Sequence, residues 1–468
     1  MNNDHEGFRR SLGVRQMRLL ALGSTIGVGL FLGSASAIKV AGPSILLAYF
    51  VAGVMTFFIL RALGEMAIQY PVTGSFATYA SLYVSPFLGY LVGWGYWFYW
   101  TIIAIAEVTA VGIYMQYWFP GSGQWIWAFS AIAVMGTVNL FTARVFGEFE
   151  FWFALIKVAT ILVMIGLGLF VIIFGFPGEW APVGLSNLTK IGGFFPAGLA
   201  GCLLSMQMVG YAYVGVEMIG IAAGEAENPQ TTIPMAINSF VWRIVIFYVG
   251  ALFVILAIFP WNRIGLDGSP FVQAFQRMGL EKAAGLVNFV VVTAALSSCN
   301  GGIFSSGRIL YTLAGARQAP AWFGRIAPNG IPIRAMLMTV AFLFLGAGLN
   351  YFTPSQAFEY LTAAVTFIGI LIWLSIIYTH ARFRRRLAEE GKSMPPFSAP
   401  FWPFSSLIAA AFLIGVIGIL VVAPETDVPV LIGLLLLCLI AAGFRLTRGR
   451  REEGAQIAAT PPSAPTML

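Results

Sequence analysis

Apolar stretches recur about twelve times along the chain, each close to the roughly twenty residues that a helix needs to cross the hydrocarbon core of a bilayer. Their approximate limits are 16–39, 43–69, 87–118, 124–142, 149–175 and 196–222, then 237–259, 284–314, 333–350, 355–381, 402–422 and 428–446. Charge is too scarce for any solvent but lipid: 59% of the 468 residues are hydrophobic and 10% charged, against about 25% charged in an ordinary soluble domain. A soluble enzyme of this length could not coat its domains with 26 Lys and Arg and 19 Asp and Glu. The expected class is therefore an all-α polytopic membrane protein. Its 52 Gly and 24 Pro exclude a simple bundle of uninterrupted helices.

An even number of spans puts both ends on one side, and the basic residues name that side. With the N-terminus in the cytoplasm, eighteen fall on inner segments: Arg9, Arg10, Arg15, Arg18, Arg144, Arg308, Arg317, Arg325, Arg334, Arg382, Arg384, Arg385, Arg386, Lys392, Arg445, Arg448, Arg450 and Arg451. Five fall outside: Lys39, Lys190, Arg263, Arg277 and Lys282. Both termini are thus expected in the cytoplasm, with the protein in the cytoplasmic (inner) membrane. The net charge of +7 reports orientation and gives no reason to expect nucleic acid. The chain divides into an N-terminal tail (1–15), a transmembrane domain (16–446) and a C-terminal tail (447–468) whose Pro, Ser, Thr and Ala read as disordered. The basic start and Ser34-Ala35-Ser36-Ala37 imitate a signal peptide, but Gly23, Gly27 and Gly29 interrupt the apolar stretch at its middle. Cys202, Cys299 and Cys438 sit apart in apolar runs, so neither disulfides nor a metal site is expected, and no cofactor.

Two spans carry breaks near their middles. The first contains Gly23-Ser24-Thr25-Ile26-Gly27-Val28-Gly29, and the sixth contains Gly210-Tyr211-Ala212-Tyr213-Val214-Gly215 before Glu217. Glycine at one such place serves close helix contact equally well. A pair in corresponding places of two halves is the best sequence pointer to a transporter site, because irregular backbone at membrane depth must line a cavity or be buried in protein. Spans one and six are five apart, the spacing of a five-plus-five inverted repeat with two helices added. Freed amides suit a carboxylate and freed carbonyls an ammonium, so the site suits a zwitterion.

Charges within spans need a partner or a purpose, at about 2.5 to 3.5 kcal/mol each on insertion scales. Arg61 and Glu65, four apart, read as an ion pair on one helix face, and Arg243 reads as snorkelling to the inner end of its span. Lys157 lies deeper, about eight residues or roughly 12 Å into the fifth span. It either snorkels or gains and loses a proton as the site opens and closes. Glu107 and Glu217 are the candidates to pair with it, to receive a substrate ammonium or to relay the proton.

Several of these motifs resemble the amino-acid permeases of the amino acid, polyamine and organocation superfamily, most closely the bacterial amino acid transporter branch. The likeness runs from about Leu12 to Leu446. It rests on Ala21-Leu22-Gly23 leading to Gly27-Val28-Gly29-Leu30-Phe31, on Ala41-Gly42-Pro43 with Arg61-Ala62-Leu63-Gly64-Glu65-Met66 and Pro71, on Phe146-Gly147-Glu148-Phe149-Glu150-Phe151-Trp152 running into Ile156-Lys157-Val158, and on Gly224-Glu225 with Asn228-Pro229 and Ile233-Pro234. Gly33-Ser34-Ala35-Ser36-Ala37-Ile38 and Gly307-Arg308 after Asn300 look most like proline-specific permeases and related histidine carriers. The resemblance implies a leucine-transporter-type fold of about 12 helices with helices 1 and 6 discontinuous. It also implies substrate carboxylate on the first break, ammonium on the second, and Lys157 in the place of a coupling cation. Three residues depart from the family pattern: Ser24 replaces a glycine, Val28 a threonine and Tyr211 a phenylalanine. Val28 removes a hydroxyl from the carboxylate loop, leaving backbone amides with Ser24 and Thr25.

The expected function is a secondary active transporter that imports a neutral amino acid, with proline or histidine as candidates, by proton symport. An exchanger without net proton movement is the alternative. The expected partners are the substrate, protons and the bilayer, with no obligatory protein partner. The expected substrate residues are Ser24, Thr25, Ile26, Gly27, Val28, Gly29, Tyr211, Ala212, Tyr213, Gly215, Glu107, Ser298 and Asn300, with Trp100 in the side-chain pocket and Tyr211 and Tyr213 as gates. Lys157, Glu107 and Glu217 are the coupling candidates. An enzyme is not expected: His5 and His380 lie at or beyond span ends, and no Ser/Lys or metal-ligand constellation is visible in the spans. A receptor would need a signalling domain, and the longest soluble segments are loops and a tail.

Overall fold

The computed structural model describes residues 26–141, 143–176, 182–226, 228–265, 268–277, 280–328, 330–352, 357–422 and 427–446. Both expected tails, and Gly23, Ser24 and Thr25 of the first break, lie outside the described residues. The fold is all-helical. The principal helices are α1 (Gly33–Ala41), α2 (Ile45–Gln69), α3 (Pro86–Met115), α4 (Gln124–Asn139), α5 (Ala143–Phe174), α6 (Gly198–Ala212), α7 (Pro229–Ile258), α8 (Glu281–Gly315), α9 (Ile333–Ala347), α10 (Ala357–Glu389), α11 (Phe404–Val422) and α12 (Asp427–Leu446). Eight helical segments of the described residues are long and apolar enough to cross a membrane, with α6 and α9 shorter apolar helices.

Local chemistry sets the helix limits. Ser85 caps α3, its Oγ accepting the Leu88 N–H at 3.2 Å with Pro86 at the first helical position. Gly42 turns α1 into α2 with φ of +59°, and Pro43 follows it. The helix α7 begins at Pro229 after Asn228, earlier than the apolar pattern suggests, and holds a π-helical stretch, Ile244–Gly250. The helix α10 outruns its expected end at 381 by two turns, because Arg and Glu are strong helix formers. The extension is laced by Arg385–Glu389 and Arg386–Glu390 pairs at i,i+4.

Burial sorts the helices into centre and rim. Within the most apolar windows of α8 and α10, 83% of residues are buried inside the protein, against 22% in α12. The long helices α3 and α8 pack along each other, with α10 against α3. Outer helices instead present Leu407, Ile408 and Ile414 of α11 and Leu431, Leu435 and Leu439 of α12, a surface suited to acyl chains.

Two charged-residue expectations are corrected. Glu65 does not pair with Arg61. It is fully buried and takes Arg384 of α10 through Nε and Nη2 at 2.8 and 2.7 Å, His380 Nε2 at 3.1 Å and the Ala399 N–H at 2.6 Å. Arg61 stacks 3.7 Å from the Phe397 ring centroid and donates to the Ser398 carbonyl and, at 3.2 Å, to Asn238. Local spacing lost to partners more than 170 residues away because these ends of α2, α7 and α10 converge under one loop. Arg243 does not snorkel: it is 0% exposed and donates to the Tyr248 hydroxyl at 3.3 Å, with its guanidinium over the Phe240 ring. Arg308, counted among the inner segments, is buried in α8 and donates to the Phe304 carbonyl at 3.3 Å with its guanidinium over the Phe304 ring.

Candidate functional site

The first break is visible from Ile26 onward. Gly27 is extended, a four-residue helix Val28–Phe31 follows, and α1 starts after Leu32. The second break is the run of turns between α6 and the short helix Met218–Ala222, with Gly215 at φ +86°, a conformation that excludes most side chains. The two breaks meet: a Cβ placed on Gly29 would lie 2.6 Å from the Ala212 Cα. Backbone therefore packs on backbone at the crossing, which glycine alone permits.

Four freed backbone groups of these breaks are met by side chains from other helices. The Lys157 Nζ of α5 donates to the Ile26 carbonyl at 3.2 Å. The Glu107 carboxylate of α3 accepts the Val28 N–H at 3.3 and 3.4 Å. On the second break, the Tyr248 hydroxyl donates to the Ala212 carbonyl at 3.0 Å, and the Tyr99 hydroxyl accepts the Gly215 N–H at 3.1 Å. The π-helical stretch of α7 carries Tyr248, so its irregular winding supplies the cap of the second break. Buried polar groups at this depth have no water to fall back on, so the caps fix the shape of the breaks.

The expected site residues separate into groups. Gly27, Val28, Glu107 and Ser298 converge: a Cβ on Gly27 would fall 2.6 Å from Glu107 Oε1 and 3.1 Å from Ser298 Oγ. The hydroxyls of Tyr211 and Tyr114 are buried with no hydrogen-bond partner among the described residues, within reach of the Glu107 charge, and the Tyr211 ring meets Gly29. This corner thus brings together the Glu107 carboxylate, the Val28 amide it accepts from, the Ser298 hydroxyl and two tyrosine hydroxyls that have no partner among the described residues. Tyr213 belongs elsewhere. Its hydroxyl donates to the Tyr49 carbonyl at 2.8 Å and its ring stacks on Tyr248 at 4.8 Å, which makes it an anchor of the second break in this structure. Trp100 is wedged against both Gly215 and Gly302, where added Cβ atoms would lie 2.9 and 3.0 Å from its ring.

Lys157 is 0% exposed, so the snorkelling reading is corrected. It also donates to Ser297 Oγ at 2.9 Å, and Ser297 donates to Glu150 Oε1 at 2.6 Å. Neither expected acid is its hydrogen-bonded partner. Glu107 holds the first break, while Glu217 accepts from Trp373 Nε1 at 3.1 Å among Tyr96 and Tyr99. Asn300 accepts from Asn139 Nδ2 at 2.6 Å and lies on the Glu150 side, away from the Gly27 corner. Sequence reading missed Glu150, Ser297, Tyr114 and Tyr248. Of these, Ser297 adjoins Ser298, and Glu150 lies two turns before Lys157 on one helix, a spacing that shares a face. Among the described residues no group of three or more His, Cys, Asp or Glu side chains could hold a metal.

Comparison with known proteins gives a single answer. The family profile described as Amino acid permease matches residues 16–444. A relative in Bacillus subtilis (strain 168) named an uncharacterized amino acid permease, YtnA, is 51% identical over 433 residues, covering 92% of this chain and 94% of that one. The probable threonine/serine transporter YbxG of the same organism is 45% identical over 438 residues, covering 93% and 94%. Its amino-acid permease AapA is 43% identical over 419 residues, covering 90% of each.

Proposed function

This chain belongs to the amino acid permease family, and from that premise we propose that it imports a neutral amino acid with a proton by alternating access. The proposed setting is the cytoplasmic membrane, with about twelve spans, both termini inside, and the five-plus-five arrangement of the leucine-transporter type. Two broken helices that meet at Gly29 and Ala212 support that arrangement. The substrate sits in the corner of Gly27, Val28, Glu107, Ser298 and Tyr211. Its size is limited by the close approach of the breaks. The name of the relative YbxG favours a small hydroxylated substrate over proline or histidine, and the unpartnered hydroxyls of Tyr211 and Tyr114 suit one.

One observation carries the coupling: Lys157 donates to the freed Ile26 carbonyl of the first break. A protonated lysine there makes a charge-assisted bond, and loss of the proton weakens the hold on a segment that must rearrange. Proton occupancy and the shape of the break are thereby linked, at about 2.3 kcal/mol of driving force per charge for each 100 mV of membrane potential. The test is uptake of labelled threonine, serine, proline and histidine into proteoliposomes with and without an inside-alkaline pH gradient. Accumulation of one of them that requires the gradient and is abolished by a protonophore is expected. Equal uptake in both conditions, with rapid counterflow, would replace symport by exchange.

A further inference from the structure

Lys157 leads into a buried polar chain that the site described above does not use. Its Nζ donates to Ser297 Oγ at 2.9 Å, and the Ser297 hydroxyl donates to Glu150 Oε1 at 2.6 Å. All three side chains are buried, Glu150 at 1% exposure. Glu150 Oε2 has no hydrogen-bond partner among the described residues, and neither has Asn300 Nδ2, which lies beside it. Asn300 Oδ1 in turn accepts from Asn139, the last residue of α4.

The direction of the chain is set by the helices that carry it. Glu150 lies seven residues before Lys157, roughly 10 Å nearer the start of α5. Asn300 lies three residues after Ser297 on α8, and Asn139 closes α4. Since α5 starts where α4 and α8 end, these displacements agree. With both termini inside, that end is the cytoplasmic one. Among the described residues the charges acting on Lys157 are those of Glu150, Glu107 and Arg243, and Glu150 is met by Lys157 with Ser297 and Asn300. Of the two acids, Glu107 is engaged by the Val28 amide at the substrate corner, whereas Glu150 lies nearer the inner side beside Asn300.

We propose that Ser297 and Glu150 are the inner proton relay of this carrier, receiving the proton that Lys157 releases; the proposal rests on the symport reading above. In the step, an N–H bond of the lysine ammonium breaks as an O–H bond forms on Ser297, and the original Ser297 O–H breaks as one forms on Glu150 Oε1. The ammonium and carboxylate become a neutral amine and a neutral acid, so no charge is left unbalanced. The lysine's bond to the Ile26 carbonyl becomes an ordinary one, and the proton now sits two turns nearer the cytoplasm.

The experiment uses the full chain in proteoliposomes with a trapped pH-sensitive dye, labelled threonine and serine as probes, and the variants Ser297→Ala, Ser297→Thr, Glu150→Gln and Lys157→Met. Under a gradient of about one pH unit, one proton per substrate supports about tenfold accumulation, and an uncoupled carrier none. Ser297→Ala and Glu150→Gln are expected to lose accumulation and substrate-triggered proton entry while keeping counterflow; Ser297→Thr, which keeps the hydroxyl, is expected to keep all three. Full accumulation by Ser297→Ala or Glu150→Gln, with Lys157→Met uncoupled, overturns the relay and leaves the symport reading standing. Loss of counterflow in Ser297→Ala makes that hydroxyl structural and also overturns the relay. Full accumulation by Lys157→Met defeats the symport reading itself.

Discussion

Individual side chains divide the work at the two breaks, and neighbouring tyrosines illustrate how. Tyr213 donates its hydroxyl to the Tyr49 carbonyl, so Tyr213→Phe removes a buried hydrogen bond at a cost of about 1 kcal/mol. It is expected to lower thermal stability in detergent with little effect on substrate affinity. Tyr211, whose ring meets Gly29 of the first break and whose hydroxyl has no partner among the described residues, predicts the reverse for Tyr211→Phe: unchanged stability and a raised KM for uptake. Unchanged KM in Tyr211→Phe together with raised KM in Tyr213→Phe would reverse the assignment. Glu107→Gln retains an acceptor for the Val28 amide but loses the charge. Uptake is expected to fall about tenfold, which corresponds to about 1.4 kcal/mol. Wild-type uptake in that variant would remove Glu107 from the substrate corner.

Among helices, the crossing of the breaks is the tightest constraint. Gly29→Ala drives a methyl against the Ala212 backbone, which cannot yield without separating the breaks, whereas Gly27→Ala meets the far end of the Glu107 side chain. Uptake should therefore be abolished by the first and reduced by the second, and an active Gly29→Ala carrier would show that the breaks do not pack this way. A second junction joins α2 to the extension of α10 through Glu65 and Arg384. Glu65→Gln breaks this buried pair and is expected to cost about 3 kcal/mol, read as a lowered unfolding temperature; an unaltered one would discount the junction. This junction marks the limit of sequence reading. Arg61 and Glu65 satisfy the i,i+4 rule, yet their partners come from α7, α10 and the loop of Phe397 to Ala399, which no local spacing encodes. The helical class, both breaks and Lys157 as a charge inside a span were legible because apolar length, glycine and isolated charge are local signals. Glu150 was not, since an acid near the start of a span looks like a surface residue until Ser297 is seen to bridge it to Lys157.

For the molecule as a whole, polar and aromatic side chains of the central helices surround the two breaks. Central helices α3 and α8 carry Glu107, Glu217's aromatic neighbours Tyr96 and Tyr99, Ser297 and Ser298, while α11 and α12 present apolar faces outward. Membership of the amino acid permease family gives this core its task. The account stands on Lys157 linking proton occupancy to the first break. It is tested most directly by comparing Lys157→Met with the unaltered chain in proteoliposomes, measuring substrate accumulation under an imposed pH gradient and counterflow without one. Loss of gradient-driven accumulation with counterflow retained is the predicted result, and accumulation equal to that of the unaltered chain would contradict it.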